Sequence, residues 1–237
     1  MPKHDWTEKQ TLLTWDAGQF ANNPLRPELL DMLVNVLKDL YQPGKWTLDI
    51  GFGTGLVEEL LFQHVPAFQV VGIDSSAEMM ALADKRLAVY GARYQRIAHD
   101  FAQLDALSLP PQPYQFVISV QALHHLTPDE MQAAYRWIYR TLEPGGIFLL
   151  ADRIRVAASG LWDVYQSLWR RLDVLHSGAL AAHEGLTFVE HEGIVAERGD
   201  LPVTIEEHLQ WMRAAGFETA LLFVHTNRAL FAARKPG

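Results

Sequence analysis

An aspartate and three glycines at alternating positions form the segment with the clearest chemical potential. Asp49 lies near the end of the apolar run 46–50, Gly51, Gly53 and Gly55 follow that run, and a leucine-rich segment comes directly after them. Glycine has no Cβ, so a ligand can approach the main chain closely, and a helix N-terminus adds free N–H donors. The segment therefore predicts a strand, a ligand-binding turn and a helix.

The spacing of the glycines separates two classes of nucleotide ligand. The dinucleotide fingerprint G-x-G-x-x-G has its third glycine one residue later than this chain does. An NAD(P)-dependent oxidoreductase would also need a pair such as Tyr-x-x-x-Lys, and neither Tyr135 nor Tyr139 has lysine at that spacing. The pattern does not favour that class.

Two histidines and an aspartate follow later apolar runs and are candidates for proton transfer. His124 and His125 come just after the run 116–120, and Asp152 ends the run 147–151. Imidazole titrates near neutrality, which suits it to remove a proton from an acceptor. The alternative is that the histidines only shape the loop. Arg153 and Arg155 either bind an anionic substrate or belong to a solvated loop.

A second histidine group lies between residues 176 and 192. His183-Glu184 and His191-Glu192 are near-copies, and His176 lies upstream. Imidazole and carboxylate groups can bind metals, but neither H-x-x-x-H nor H-E-x-x-H occurs. We predict a solvated segment and no metal site.

Strand and helix patterns alternate along the chain and must position these residues. Strands are predicted near 46–50, 69–74, 93–98, 116–120 and 147–151, with a terminal hairpin over 221–225 and 229–233. Helices are predicted over 26–40, after 55, over 76–90, 128–142 and 161–175, and after 204, whereas 183–199 reads as a loop. Capping boxes are predicted at Ser75, Thr127 and Thr204. Alternation of this kind implies a parallel sheet with helices on both faces.

Composition restricts the partners and the location of the protein. The formal net charge of −8 does not favour a large nucleic-acid footprint, although a local basic patch is left open. No apolar run is long enough to span a bilayer, and the polar N-terminus does not resemble a signal peptide. The chain has no cysteine, which excludes disulfides and fits a cytoplasmic protein.

Five motifs in order resemble those of the class I S-adenosylmethionine-dependent methyltransferases. They are residues 49–55, Asp74, Asp100-Phe101, residues 116–126 and the turn 142–146, and the resemblance covers roughly residues 26–152 and 204–235. It implies a Rossmann-like, seven-stranded, mostly parallel sheet with an antiparallel terminal strand. It also implies S-adenosylmethionine as cofactor and methyl transfer to a small-molecule acceptor.

The resemblance also implies roles for individual residues. Asp74 would hold the ribose hydroxyls, Asp100 would bond the adenine amino group, and Phe101 would pack on the adenine ring. His124, His125 and Asp152 are the candidate catalytic residues. The candidate cofactor-binding residues are Asp49, Gly51, Phe52, Gly53, Thr54, Gly55, Asp74, Ser75, Met79, Asp100, Phe101, Val120, Gln121 and His125.

One domain, 1–237, is expected, with an N-terminal helical segment 1–43 and a helical lid insertion 153–203 over the substrate. Residues 15–20 would close over the cofactor from the other side. Trp162, Tyr165 and Trp169 would be pocket walls, dimer contacts or core, so a homodimer is left open. A noncatalytic protein that binds S-adenosylmethionine or S-adenosylhomocysteine is the alternative to an enzyme.

Overall fold

The structure is a computed structural model and describes residues 24–237. A seven-stranded sheet lies at the centre of this part of the chain. Its strands are β1 (Trp46–Ile50), β2 (Val70–Asp74), β3 (Tyr94–Ala98), β4 (Tyr114–Val120), β5 (Ile147–Arg153), β6 (Glu218–His225) and β7 (Arg228–Arg234). The order is β3-β2-β1-β4-β5-β7-β6. The first five strands are parallel, and β7 is antiparallel to both of its neighbours. The predicted Rossmann-like sheet is confirmed.

Helices cover both faces of this sheet. In the described residues they are α1 (Arg26–Leu40), α2 (Leu56–His64), α3 (Ala77–Leu87), α4 (Pro128–Thr141), α5 (Trp162–His176), α6 (Leu180–His183), α7 (Phe188–Arg198) and α8 (Ile205–Ala214). Helices α1, α2 and α3 pack in one apolar core, and α4 and α8 pack in another on the opposite face. The α-helical segment 26–40 of the predicted N-terminal region is present, whereas residues 15–20 lie outside the described residues.

Two of the three predicted capping boxes are present. The side chains of Thr127 and Thr204 each accept a hydrogen bond from the backbone N–H three residues later. The carboxylates of Glu130 and Glu207 accept in turn from the backbone N–H groups of Thr127 and Thr204. The prediction at Ser75 was wrong by one residue: Ser76 caps α3, accepting the Met79 N–H at 3.2 Å. Asp74 Oδ1 accepts a hydrogen bond from the Ser76 N–H. The helix therefore begins one residue later than predicted.

The prediction of a loop over 183–199 was wrong, because residues 188–198 form α7. Thr187 caps the helix by accepting the Glu190 N–H, and Gly199 ends it with a left-handed φ of 73°. The apolar stripe of this helix is narrow, and His191 is its buried residue. This polar segment is therefore helical because capping residues define both of its ends and because it packs against the rest of the protein.

The aromatic residues of α5 belong to a small third core and not to the cavity described below. Trp162 and Trp169 are buried against each other, with ring centroids 5.2 Å apart. Their indole N–H groups donate to the Leu186 carbonyl and to the Thr226 hydroxyl at 3.0 and 2.9 Å. This core fixes the segment between β5 and α8 against the sheet. None of the described helices is both long and apolar enough to cross a bilayer.

Candidate active site

A cavity of about 560 Å³ opens at the carboxyl ends of β1, β2, β4 and β5. The strand order reverses between β1 and β4, and open α/β sheets bind ligands at such a switch point. Most of the predicted site residues line the cavity: Asp49, Gly51, Phe52, Gly53, Thr54, Asp74, Ser75, Met79, Phe101, Val120, Gln121, His124 and His125. Gly55, Asp100 and Asp152 do not line it.

The glycine turn forms one wall of the cavity and needs glycine for two separate reasons. Gly51, Gly53 and Gly55 all have left-handed φ angles, of 78°, 58° and 76°. A Cβ on Gly51 would overlap the Cβ of Ala122, which follows β4. Gly55 caps α2 and packs against Leu87 and not against the cavity. The turn therefore exposes backbone of residues 51–54 to a ligand.

Asp74 is held in place by backbone donors and lines the cavity from the end of β2. Its two carboxylate oxygens accept the Gly53 N–H at 2.9 Å and the Ser76 N–H at 2.8 Å. Burial raises the pKa of Asp74, and these backbone hydrogen bonds act in the opposite direction. An oriented carboxylate here suits a pair of ligand hydroxyls, as the ribose role requires.

A second carboxyl group, Glu58, adjoins Asp49 and was missed at the level of sequence. Both side chains are buried, and burial together with their mutual repulsion raises the pKa of Asp49 well above its usual value. Burial likewise raises the pKa of Glu58. Two buried carboxyl groups beside Asp74 favour a cationic ligand, and a sulfonium compound with an α-ammonium group has that chemistry. The residues present therefore fit S-adenosylmethionine.

Gln121 adds an unusual backbone conformation to the cavity wall after β4. Its φ of 57° is left-handed, which is uncommon for a residue with a side chain. Its N–H donates to the Ala151 carbonyl at 2.8 Å, while its side-chain Nε2 has no hydrogen-bond partner among the described residues. The amide is thus available to a bound ligand.

Asp100 is placed differently from the other predicted cofactor residues. Its Oδ1 accepts the Ala102 N–H at 2.9 Å and caps the short 3₁₀-helix Phe101–Ala106. Phe101 does line the cavity. The adenine contact of Asp100 stays a prediction.

His124, which lines the cavity, forms a buried pair with Asp152, which does not line it. Asp152 Oδ1 lies 2.5 Å from His124 Nδ1, and Oδ2 accepts the His124 backbone N–H at 3.0 Å. Burial alone would raise the pKa of Asp152, but His124 and the Arg153 N–H lower it. Asp152 is fully buried and contacts His124 without lining the cavity, and its catalytic role stays a prediction. The second ring nitrogen of His124 faces Asp200, which lines the cavity.

His125 is adjacent to His124 and more exposed. The two ring centroids are 4.3 Å apart, and His125 Nδ1 lies 3.6 Å from Asp200 Oδ1. Partial burial in the cavity and the neighbouring His124 lower the pKa of His125 to about 4. Its imidazole is therefore neutral at physiological pH.

A cluster of arginines forms the far end of the cavity. Arg153, Arg198 and Arg228 all line it, and Glu184 lies behind them, 3.2 Å from Arg153 Nη1 and 3.3 Å from Arg228 Nη2. Burial alone would raise the pKa of Glu184, but these guanidinium groups hold it well below its usual value. Burial and the nearby Arg153 lower the pKa of Arg228 to about 10. We call Arg153, Arg198 and Arg228 the arginine cluster.

Sequence reasoning found only part of this cluster. It left Arg153 open as an anion-binding residue, and it missed Arg228, which follows the hairpin turn, and Arg198, which ends α7. The sequence feature that could have indicated Arg228 is a charged residue at the start of an apolar strand. His183 accepts a hydrogen bond from Arg198 Nη2 at 2.9 Å, and His191 Nδ1 donates to the Glu184 carbonyl at 2.8 Å.

Comparison with known proteins agrees with this geometry. Residues 47–146 match the family model described as a methyltransferase domain. Over these residues the chain is similar to the S-adenosylmethionine-dependent methyltransferases. The match and the cavity support an enzyme that uses S-adenosylmethionine as its cofactor. Neither the noncatalytic binding protein nor the NAD(P)-dependent oxidoreductase is favoured.

Three known proteins are similar to this chain. The carboxy-S-adenosyl-L-methionine synthase of Pseudomonas putida strain F1 is 26% identical over 197 residues, which is 82% of this chain and 77% of that protein. A Haemonchus contortus phosphoethanolamine N-methyltransferase 2 in complex with phosphomonomethylethanolamine and S-adenosylhomocysteine has a TM-score of 0.71 at 17% identity. The apo methyltransferase SibL has a TM-score of 0.57 at 18% identity.

The two solved structures are longer than this chain. The alignments cover 99% and 87% of this chain, but only 60% of the phosphoethanolamine methyltransferase chain and 55% of SibL. At these identities they show the fold alone.

Proposed function

We propose that the protein transfers a methyl group from S-adenosylmethionine to a small anionic acceptor that carries a carboxylate or phosphate group. The observation that carries this proposal is the arginine cluster at the end of the cofactor cavity. Guanidinium groups bind carboxylate and phosphate through paired, charge-assisted hydrogen bonds.

The charge balance of the cavity supports an anionic acceptor. Three guanidinium groups, those of Arg153, Arg198 and Arg228, face two acidic side chains, Glu184 and Asp200. The Nε atom of Arg228 is buried and has no hydrogen-bond partner among the described residues, whereas Arg153 Nε has an ion-pair contact of 3.4 Å with Asp200 Oδ2. Buried donors of this kind favour a ligand that accepts hydrogen bonds.

The positions of His124 and Asp152 support acid–base assistance. S-adenosylmethionine supplies the reactive methyl group when it is bound. His124 Nδ1 is held by Asp152, so Nε2 is the nitrogen that can accept a proton from a hydroxyl or ammonium acceptor. The walls formed by residues 51–54 and 121–125 would orient the acceptor and exclude water.

A second candidate function follows from the curated relatives. Their name states that they make carboxy-S-adenosyl-L-methionine, and the arginine cluster could hold the carboxyl group of such a product as well as that of an acceptor. In both cases the cavity binds S-adenosylmethionine and a carboxylate. The two functions differ in the sulfur-containing product.

Mass analysis of the reaction products tests both candidates. The protein is incubated with S-adenosylmethionine and matched pairs of small carboxylic acids and their amides, and phosphates and their uncharged parent alcohols. We expect S-adenosylhomocysteine and a methylated acid or phosphate, with the neutral partners turned over poorly. Carboxy-S-adenosylmethionine as the main product, formed as one of the added acids loses its carboxyl group, would establish the second candidate instead. Equal turnover of neutral and anionic partners would contradict an anionic acceptor.

Substitution of Arg198 tests the role of the arginine cluster with less risk to folding, because that residue is only partly buried. R198Q should raise the KM for the anionic acceptor roughly tenfold to hundredfold, since a hydrogen bond to a charged group contributes about 1.5–3 kcal/mol. The affinity for S-adenosylmethionine should not change. R155Q is the matched control, because Arg155 is exposed and outside the cavity. An unchanged KM in R198Q would contradict the assignment.

We further propose a cytoplasmic location and a homodimer. The lack of cysteine supports a reducing compartment. The edge strand β6 exposes Leu221, Leu222 and Val224, which supports association through this edge. Sedimentation of the wild-type protein and of an L222K variant tests this proposal. We expect the wild-type protein to form a concentration-dependent dimer and the L222K variant to stay monomeric.

A further inference from the structure

His124, His125 and Asp200 bring three potential metal ligands together at the acceptor side of the cavity. His124 Nε2 and His125 Nδ1 each lie 3.6 Å from the same atom, Asp200 Oδ1. All three ligand atoms lie within 4.8 Å of one another. Among residues 24–237, these three side chains form a group that could hold a metal ion. Two segments far apart in sequence, the loop after β4 and the loop after α7, converge here.

The spacing of these atoms suits coordination better than hydrogen bonding. A separation of 3.6 Å exceeds a normal hydrogen bond. Bonds of about 2.1 Å to a tetrahedral ion place neighbouring ligand atoms roughly 3.4 Å apart, so small side-chain shifts would close the site. The other carboxylate oxygen, Asp200 Oδ2, lies 3.4 Å from Arg153 Nε, which leaves Oδ1 to face the histidines.

A supporting carboxylate is already in place behind one ligand. Asp152 Oδ1 contacts His124 Nδ1 at 2.5 Å, which directs Nε2 toward Asp200. Metal-binding histidines typically have such a carboxylate on the second ring nitrogen, where it fixes the tautomer and the ring orientation. The pair therefore serves a metal site as well as it serves a free base.

An ion at this position would be accessible and incompletely coordinated by protein. The side chain of His125 is 37% exposed, whereas those of His124 and Asp200 are buried. Three protein ligands leave at least one coordination position open toward the cavity. Two imidazoles and one carboxylate without a thiolate suit Zn²⁺, Fe²⁺, Co²⁺ or Mn²⁺, more than Ca²⁺ or Mg²⁺, which prefer oxygen ligands.

We propose that His124, His125 and Asp200 bind one divalent transition-metal ion in the acceptor half of the cavity. An acceptor whose carboxylate or phosphate contacts the arginine cluster would place a neighbouring oxygen on this ion. This second step rests on the proposed function, whereas the metal site itself does not. The ion would polarise that oxygen and lower the pKa of a bound hydroxyl group.

Metal titration in the absence of cofactor and acceptor tests the site. Chelator-treated protein is titrated with Co²⁺, followed by visible absorption, and separately with Zn²⁺ and Mn²⁺ by calorimetry. We expect one ion per chain and visible Co²⁺ bands typical of nitrogen and oxygen ligands. Because no methyl transfer is measured, failure of the proposed function would not affect this result. The proposal would be overturned if none of the three ions, Co²⁺, Zn²⁺ and Mn²⁺, bound with a stoichiometry of one per chain.

Three variants distinguish this site from binding elsewhere. H125Q and D200N should each weaken metal binding by at least tenfold with an unchanged circular dichroism spectrum. H176Q is the control, because His176 is exposed and outside the cavity, and its affinity should equal that of the wild-type. If D200N or H125Q folds and binds Co²⁺ as tightly as the wild-type, the ion lies at another site and the proposal is wrong.

Discussion

Asp152 holds His124 at two points, through the ring nitrogen Nδ1 at 2.5 Å and through the backbone N–H at 3.0 Å. Both contacts are buried, and Asp152 has no exposed surface. The carboxylate thus fixes the tautomer of the ring and the path of the loop that follows β4. Whether His124 accepts a proton or binds an ion, its Nε2 must face the cavity.

D152N is expected to reduce turnover more than it reduces cofactor binding. An amide can donate to Nδ1, which would present the wrong tautomer and move the N–H of His124 to Nε2. We expect kcat to fall by about 10²–10⁴, the usual contribution of acid–base assistance. Kinetics with the identified acceptor give kcat, and calorimetry with S-adenosylmethionine gives an affinity near that of the wild-type. An unaffected kcat in a folded D152N protein would show that the orientation of His124 does not matter.

S-adenosylmethionine binding is expected to release protons, because the carboxyl groups of Asp49 and Glu58 have raised pKa values. A bound cation favours their ionised forms, so it lowers these pKa values again. Affinity should therefore rise with pH through the range of the raised pKa values and become constant above it. Calorimetry in buffers of different ionisation enthalpy measures the protons released.

E58Q and E59Q form a matched pair for this measurement. Glu58 is fully buried, whereas Glu59 on the same helix pairs with Arg86 near the surface. E58Q should release fewer protons and have a flatter pH dependence, while E59Q should behave like the wild-type. Equal proton release by wild-type and E58Q would contradict the coupling.

G51A is expected to abolish tight cofactor binding. The added Cβ would overlap Ala122 and would also hold alanine at a left-handed φ of 78°. G44A separates the two effects, because Gly44 has a similar φ of 84° but open space around it. G44A should lose only about 1–2 kcal/mol of stability. Cofactor titration and urea unfolding of both variants measure the effects.

The double variant G51A/A122G provides the converse test. Removal of the Ala122 Cβ relieves the overlap but leaves the backbone strain. We expect part of the cofactor affinity to return. If the double variant binds no better than G51A, the overlap with Ala122 is not the cause of the loss.

Acid pH is expected to destabilise the fold through His208. Burial lowers the pKa of His208 from 6.5 to about 4, and the Tyr135 hydroxyl donates to its neutral Nδ1 at 2.6 Å. Between these values the unfolded chain binds a proton that the folded chain does not. Stability is therefore complete above pH 6.5 and falls as pH decreases toward 4, by about 3 kcal/mol in total.

Urea unfolding at several pH values measures this loss. H208N keeps an acceptor for the Tyr135 hydroxyl but cannot titrate. The difference in stability between wild-type and H208N should shrink as pH falls through this range. A difference that stays constant with pH would contradict the assignment.

Local signals account for the parts of the molecule that sequence predicted well. The turn at residues 51–55 and the helix start at Thr127 depend on neighbours only a few residues away, so their spacing indicates them. Glu58 gave no such signal, because a glutamate two residues after a helix begins usually faces solvent. Its burial depends on packing against Asp49, which only the folded sheet brings about.

Long-range convergence explains what sequence reasoning missed at the acceptor side. Asp200 lies 76 residues after His124, and Arg228 lies 44 residues after Glu184. No periodic pattern connects such pairs. The helix α7 was missed for a related reason, because its narrow buried face contains a histidine and not an apolar stripe.

Glu184 connects the helical segment after β5 to the sheet, since it contacts Arg153 at the end of β5 and Arg228 at the start of β7. The same guanidinium groups face the cavity. An anion that draws on them weakens their attraction to Glu184, and by linkage a segment that swings away leaves them freer for the anion. The charge of a bound ligand and the attachment of this segment to the sheet are thus thermodynamically linked through Glu184.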